Sequence, residues 1–175
     1  MEFRIRPWEL SDLPSLVKHA NNLNVSINLS DRFPHPYKEK DGRAYIKLAN
    51  ADNPVHLFAI VVNGEAVGGI GIYLQSDIFI KNVELGYWLG EDFWGKGIIT
   101  RAIPQIIDFT FATYDIDRIF ARTFGTNIAS QKVLQKNGFV QEAWFERILY
   151  KNGVYLDEVI YGFRRENWKK SDLSL

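Results

Sequence analysis

Between Val83 and Thr113 the chain changes its period twice. Residues 83–89 alternate and are rich in aromatic and β-branched types, which predicts a strand. Residues 90–97 form a turn carrying Gly90, Gly95 and Gly97. From Ile98 onward, apolar residues recur at helical spacing, at Ile99, Ala102, Ile103, Ile106 and Ile107. A strand, a glycine turn and a helix in this order offer backbone N–H groups to an anion. The first four N–H groups of a helix have no internal partner, and the helix dipole is positive at that end. Gly95 and Gly97 bracket Lys96, where glycine permits a positive φ and a close approach by a ligand. A bare Gly-x-Gly also suits a plain turn, and the spacing is neither a dinucleotide fingerprint nor a Walker sequence.

Composition excludes several classes. Of 175 residues, 21 are Lys or Arg and 21 are Asp or Glu, so the formal net charge is zero and no general nucleic-acid surface is expected. There is no cysteine, which removes disulfides, zinc–thiolate sites and a thiol nucleophile. With 3 histidines, no metal centre is expected. The stretch from Met1 to Pro7 has no long apolar run, so it does not read as a signal peptide. No segment reaches the roughly 18 apolar residues of a membrane span. A soluble cytoplasmic protein is expected.

Taken in order, residues 2–6 read as a short strand. Ser11 or Asp12 is the expected cap of a helix that has Pro14 in its first turn and Leu13, Leu16, Val17 and Ala20 on one face. Residues 21–37 read as irregular, with two prolines stiffening Phe33-Pro34-His35-Pro36-Tyr37. A second helix is predicted from Lys38 to Leu48. Strands from His56 to Val62 and from Glu65 to Tyr73 flank Asn63-Gly64, a hairpin signal, and glycines in the second strand suggest a bulge. After the strand at 83 and the helix from about 97 to 112, which contains Pro104, come a strand (117–123), a helix (127–137) stopped by Gly138, and a closing hairpin turning at Asn152-Gly153. Residues 165–175 read as a frayed polar tail. The fold class is mixed α/β: a twisted, mostly antiparallel sheet of six or seven strands with helices on both faces. Residues 1–168 form one domain and 169–175 a tail. The strands near 84–89 and 118–123 should be parallel neighbours, because a helix connects them, and should diverge towards Gly90.

Trp94-Gly95-Lys96-Gly97-Ile98-Ile99-Thr100, preceded by Glu84-Leu85-Gly86-Tyr87, resembles the acetyl-CoA pyrophosphate loop of the GNAT N-acetyltransferases. The resemblance extends over roughly residues 3–168 and is nearest to the branch of ribosomal-protein alanine N-acetyltransferases. Many members have Arg or Gln three residues before the first loop glycine. Asp92 stands there, as is frequent in this branch. A second stretch, Asn127-Ile128-Ala129-Ser130 running to Gly138-Phe139, is similar to the family's second cofactor helix. On residues alone Asn127 is also a plausible N-cap and Gly138 a C-cap.

The resemblance implies acetyl-CoA as cosubstrate and direct attack of a primary amine in a ternary complex, with no acetylated side chain. It implies that backbone amides from Phe93 through Trp94, Gly95, Lys96 and Gly97 to Ile98 hold the pyrophosphate. Tyr87, Trp88 and Leu89 would offer a strand edge to the pantetheine arm and an amide to the oxyanion, and Asn127 and Ser130 would lie along the cofactor. Glu84, the charged member of an apolar run, is the candidate base. Ser130 or a water is the candidate donor to the leaving thiolate. His35 and Tyr37, in the loop that borders the acceptor pocket in this family, and Asp157 are candidate substrate contacts together with Glu84. A protein N-terminus is the favoured acceptor, with small amines or antibiotics behind it. Two other readings remain: a non-enzymatic CoA-binding regulatory module of the same fold, and a ribosome- or RNA-associated protein, which neutral charge disfavours. Phe145 and Tyr155 suggest a homodimer.

Overall fold

The computed structural model describes residues 1–169. Its strands are β1 (Arg4–Pro7), β2 (Leu57–Val62), β3 (Glu65–Leu74), β4 (Asn82–Leu89), β5 (Arg118–Phe124), β6 (Val140–Lys151) and β7 (Val154–Arg164). Its helices are α1 (Leu13–Ala20), α2 (Leu23–Ser26), α3 (Glu39–Ala49), α4 (Ile98–Thr113) and α5 (Ile128–Lys136). The strands form one seven-stranded sheet in the order β1-β2-β3-β4-β5-β7-β6. By contacts the described residues divide into two compact units, residues 1–71 with 87–102, and residues 72–86 with 103–169.

In the first unit, Leu13, Leu16 and Ala20 of α1 pack with Ile46 of α3, Trp8 and Trp88 in one buried cluster. The expected cap at the start of α1 is only half realised. Asp12 occupies the N-cap position, but its side chain does not cap α1. Its carboxylate takes a two-pronged pair of hydrogen bonds from Arg6, each 2.7 Å, and a third from the Glu9 N–H at 2.9 Å. Burial alone would raise the Asp12 carboxyl, yet these bonds hold it below its usual value. The stretch expected to be irregular contains α2, because the Asn22 side chain accepts from the N–H groups of Asn24 and Val25. The Asn63-Gly64 turn has φ of 49° and 84°, as a two-residue hairpin of this type requires. The expected bulge lies on β3, where pairing steps from Ile60–Gly68 to Val61–Ala66 and leaves Val67 extra.

In the second unit, β4 and β5 are parallel, pairing Asn82–Glu84 with Arg118–Phe120. That ladder covers three residues, and both strands run on beyond it. β5 pairs antiparallel with β7 and β7 with β6, the edge strand. The second hairpin also turns on Asn152 and Gly153, with φ of 50° and 80°. Pro104 lies within α4 without ending it. The expectation of a frayed tail fails over 165–168. Arg165 donates to the carbonyls of Phe111 (3.1 Å), Tyr114 (2.7 Å) and Ile116 (2.6 Å), and the Trp168 indole donates to Asp108 at 2.6 Å. Three carbonyls around the end of α4 need donors, and one guanidinium supplies them. Most of the predicted tail, residues 170–175, lies outside the described residues. No helix among the described residues is long and apolar enough to cross a membrane.

Candidate active site

In the first unit, β4 ends at Leu89 and a 3₁₀ turn, Glu91–Phe93, leads to Trp94-Gly95-Lys96-Gly97 and the start of α4 at Ile98. Gly95 and Gly97 have φ of 71° and 70°. A Cβ added at either would meet nothing within 4 Å, so glycine is required there by backbone conformation and not by crowding. Residues 94–97 are exposed while Ile98 is buried, which ties the helix to the core and leaves the loop outside.

The 3₁₀ turn narrows the set of donors the sequence suggests. The N–H groups of Phe93 and Trp94 already bond to the carbonyls of Gly90 (2.9 Å) and Glu91 (3.0 Å). The N–H groups of Gly95, Lys96 and Gly97 have no such backbone acceptor among the described residues, and the Gly97 carbonyl accepts the Arg101 N–H at 3.2 Å. The Lys96 ammonium folds back to donate to the Asp92 carbonyl at 2.6 Å and sits 5.3 Å from the centre of the Phe93 ring. Of the strand-edge trio, Trp88 and Leu89 are buried and Tyr87 half-buried, and the Leu89 carbonyl takes a hydrogen bond from the Trp94 indole at 2.7 Å.

His35 and Tyr37 part company in this unit. His35 is exposed, whereas Tyr37 is buried in the core cluster and its ring lies 5.0 Å from that of Phe33. Burial, with the Asp41 charge adding to it, pushes the Tyr37 hydroxyl up to about 12. Tyr37 is placed as a core residue, and its phenol is a poor proton donor near neutral pH.

In the second unit, Glu84 stands opposite Phe120 at the end of the parallel ladder, with its side chain 33% exposed. Arg122 on β5 has Nε 3.9 Å from Glu84 Oε1 and Nη1 3.9 Å from Glu158 Oε1. Glu158, on β7, is 12% exposed and so the more enclosed of the two carboxylates. Sequence reading passed over it, because Asp157-Glu158 looks like any acidic pair on a strand. The signal it missed is pairing: Glu158 sits opposite Phe124, on the strand that carries Arg122.

Asn127 fills the structural role open to it, its Oδ1 accepting the Ser130 N–H at 3.1 Å. Both are half-buried at the start of α5. Gln131, one position further, is buried and donates to the carbonyls of Phe124 (3.3 Å) and Gly125 (3.0 Å). The tyrosines of the last third are unequal. Tyr161 is buried, with its hydroxyl accepting from Gln135 Nε2 at 3.2 Å and donating to Gln131 Oε1 at 3.4 Å. Tyr150 and Tyr155 are exposed and tilted against one another at the hairpin. Both oxygens of Asp157 are engaged, Oδ2 by the Trp144 indole at 3.0 Å and Oδ1 by the Arg147 N–H at 2.9 Å.

The fold recurs in solved acetyltransferases. RimL, the ribosomal L7/L12 alpha-N-protein acetyltransferase determined in complex with coenzyme A, shares the fold with a TM-score of 0.81 at 22% identity, over 93% of each chain. Residues 2–140 match the Acetyltransferase (GNAT) domain, and the chain belongs to that family of acyltransferases. Two Bacillus subtilis relatives are similar in sequence. One is the probable N-acetyltransferase YjcK, 34% identical over 89% of this chain and 90% of its own. The other is the putative ribosomal N-acetyltransferase YdaF, 30% identical over 63% of this chain and 60% of its own.

Proposed function

We propose that this chain transfers the acetyl group of acetyl-CoA, the donor used by its family, to a primary amine by direct attack, with a protein N-terminus as the favoured acceptor. The observation that carries the reading is the exposed loop from Gly95 to Gly97, with two residues at positive φ, set at the start of the 16-residue helix α4. Amides from Gly95 to Ile98 would hold the pyrophosphate. Tyr87, Trp88 and Leu89 would supply a strand edge for the pantetheine and an amide for the oxyanion. Asn127 and Ser130, at the start of α5, would lie along the cofactor.

An amine attacking a thioester needs no side-chain nucleophile. It needs its ammonium proton removed, its position fixed and the developing oxyanion held. Glu84 is the proposed proton acceptor, directly or through a water, with the Arg122 charge 3.9 Å from its Oε1. Glu158, the same distance from that arginine, is the alternative acceptor. Ser130 or a water would protonate the leaving thiolate. His35 stays a candidate acceptor contact. Tyr37 and Asp157 have packing and strand-holding roles that suffice without substrate. The ribosomal acceptors named for YdaF and RimL support a polypeptide amine over small amines or antibiotics. We also propose one domain over residues 1–168, a cytoplasmic location, and a homodimer using the exposed Phe145 and Tyr155. Sedimentation showing only a 20.2 kDa species at micromolar concentration would refute the dimer.

The test is thiol release from acetyl-CoA with a panel of peptides of different N-terminal residues, polyamines and aminoglycosides. Release with a peptide, and mass addition at its N-terminus, is expected. Binding of CoA without release across the whole panel would leave a non-enzymatic CoA module, and release only with small amines would overturn the acceptor.

A further inference from the structure

Glu91 is an unexpected residue to find four positions before Gly95, because a carboxylate beside a pyrophosphate loop repels the ligand. Its partners suggest why it is there. Glu91 Oε2 accepts from Asn22 Nδ2 at 2.7 Å, and Oε1 accepts from Asn24 Nδ2 at 2.8 Å. The orientation of the Asn22 amide is dictated by α2. Its Oδ1 takes the N–H groups of Asn24 (2.8 Å) and Val25 (3.3 Å), so its Nδ2 must face Glu91. One side chain therefore caps a helix and grips the loop.

The same turn is braced at three further points. The Gly90 N–H donates to the carbonyl of the bulged Val67 at 2.8 Å. Gly90 lies so close to His19 that an added Cβ would sit 2.9 Å from Nδ1. The Phe93 ring packs edge-on against the His19 ring at 5.5 Å. His19 is itself fixed, with Nε2 3.0 Å from Glu65 Oε1, and Glu65 also accepts from Lys18 at 2.7 Å. The Lys18 ammonium, ahead of His19, holds the Glu65 carboxyl below its usual value.

We propose that Asn22, Asn24 and His19 are positioning residues for the cofactor loop: through Glu91, Gly90 and Phe93 they anchor its 3₁₀ approach, so that Gly95-Lys96-Gly97 meets the pyrophosphate already ordered. This rests on the assignment of that loop to CoA. Two glycines at positive φ in an exposed loop have many conformations to lose, and ordering them before the ligand arrives moves that cost from binding to folding. The clamp also links the cofactor loop to α2, which precedes the segment carrying His35.

The pair can be tested by exchanging its polarity. Asn22→Asp keeps an oxygen to cap α2 but turns a carboxylate towards Glu91. Glu91→Gln in that background supplies an amide donor and restores a complementary contact. By titration calorimetry with CoA, N22D should bind about fivefold more weakly than the parent. The double variant should return to within about twofold of the parent. In turnover, N22D should raise the KM for acetyl-CoA and leave kcat at saturation close to the parental value, a split that loss of global stability would not give. Equal CoA affinity of N22D and the parent overturns the proposal. So does a double variant as weak as N22D, since the loss then lies in α2 and not in the pair. If N22D does not fold, E91Q and E91A carry the comparison: parent above E91Q above E91A is expected, and equal affinities of all three overturn the proposal. A parent chain that fails to bind CoA at all refutes the loop assignment itself, and the clamp's role with it.

Discussion

Asp157 holds Arg147 at the point where β6 leaves its partner. Its Oδ1 accepts the Arg147 N–H at 2.9 Å, and Arg147 has φ of +52°, rare for a side chain of that size. The register of β6 against β7 slips between Phe145 and Leu149, and a carboxylate on the facing strand takes up the N–H that the slip would otherwise leave unpaired. Asp157→Ala should therefore destabilise the closing hairpin by about 0.5–1.5 kcal/mol, since both hydrogen bonds are exposed. Chemical denaturation is the measurement. Loss of turnover without loss of stability would return Asp157 to the substrate contacts.

The loop from Gly95 to Gly97, proposed to hold CoA, yields a ranking. Gly95→Val or Gly97→Val places a β-branched residue at a φ near +70°, which costs about 1–3 kcal/mol of strain or forces the loop to change shape. CoA affinity should fall at least tenfold, and whatever strain the loop retains should lower the melting temperature by about 2–4 °C per kcal/mol. Lys96→Ala should do less, since the ammonium is exposed and folded back on the Asp92 carbonyl. Calorimetry on the three variants decides it. Gly95→Val binding CoA like the parent would dismiss the loop.

Proton removal can be assigned by comparing Glu84→Gln with Glu158→Gln. The variant that removes the base should lower the rate of transfer by about 10²-fold or more while CoA affinity stays near the parent. Raising the pH should restore part of that rate, because more of the amine is then already neutral. The other variant should change the rate little. A pH–rate profile unchanged in both variants would hand the proton to water.

Acid should loosen the second unit through Glu142. Hydrogen bonding from Arg118, 3.0 Å from Nε to Oε2, together with the charges of Arg118 and Arg164, holds this carboxyl below its ordinary value. A lowered folded value means that the stabilisation is complete above the unfolded value, about 4.3, and is lost as the pH falls through the folded one. The cluster is partly solvated, so the effect should be about 1 kcal/mol or less. Glu142→Gln should lower the melting temperature slightly at pH 7 and flatten its fall below about pH 4.5. An acid limb as steep as the parent's would place the titrating groups elsewhere, with Asp12 the next to examine.

What was legible in the sequence was what depends on near neighbours along the chain. The alternation of 83–89, the glycines at 95 and 97 and the two Asn-Gly hairpins each carry their cause within a few residues, and each element forms there. The parallel pairing of β4 with β5 could be inferred because the intervening helix leaves little alternative. Side chains claimed by distant partners were not legible. Asp12 had every local reason to cap α1, and Arg6, on the preceding strand, took it. Tyr37 looked like part of an open loop and is core, because Phe33 and the α1–α3 layer close over it. Glu158 reads as the ordinary neighbour of Asp157 until β5 brings Arg122 near it.

Arg165 gives the chain an order of assembly. Its guanidinium serves the carbonyls of Phe111, Tyr114 and Ile116, some fifty residues behind it. During synthesis α4 leaves the ribosome long before those donors exist, and its last turn stays incompletely bonded until residue 165 clears the exit tunnel. The first unit lacks this dependence, since every segment it contains among the described residues precedes Arg165 by more than sixty positions. A nascent chain halted in β7 would thus carry the glycine loop of Gly95 and Gly97 already emerged, while the second unit still lacked its latch.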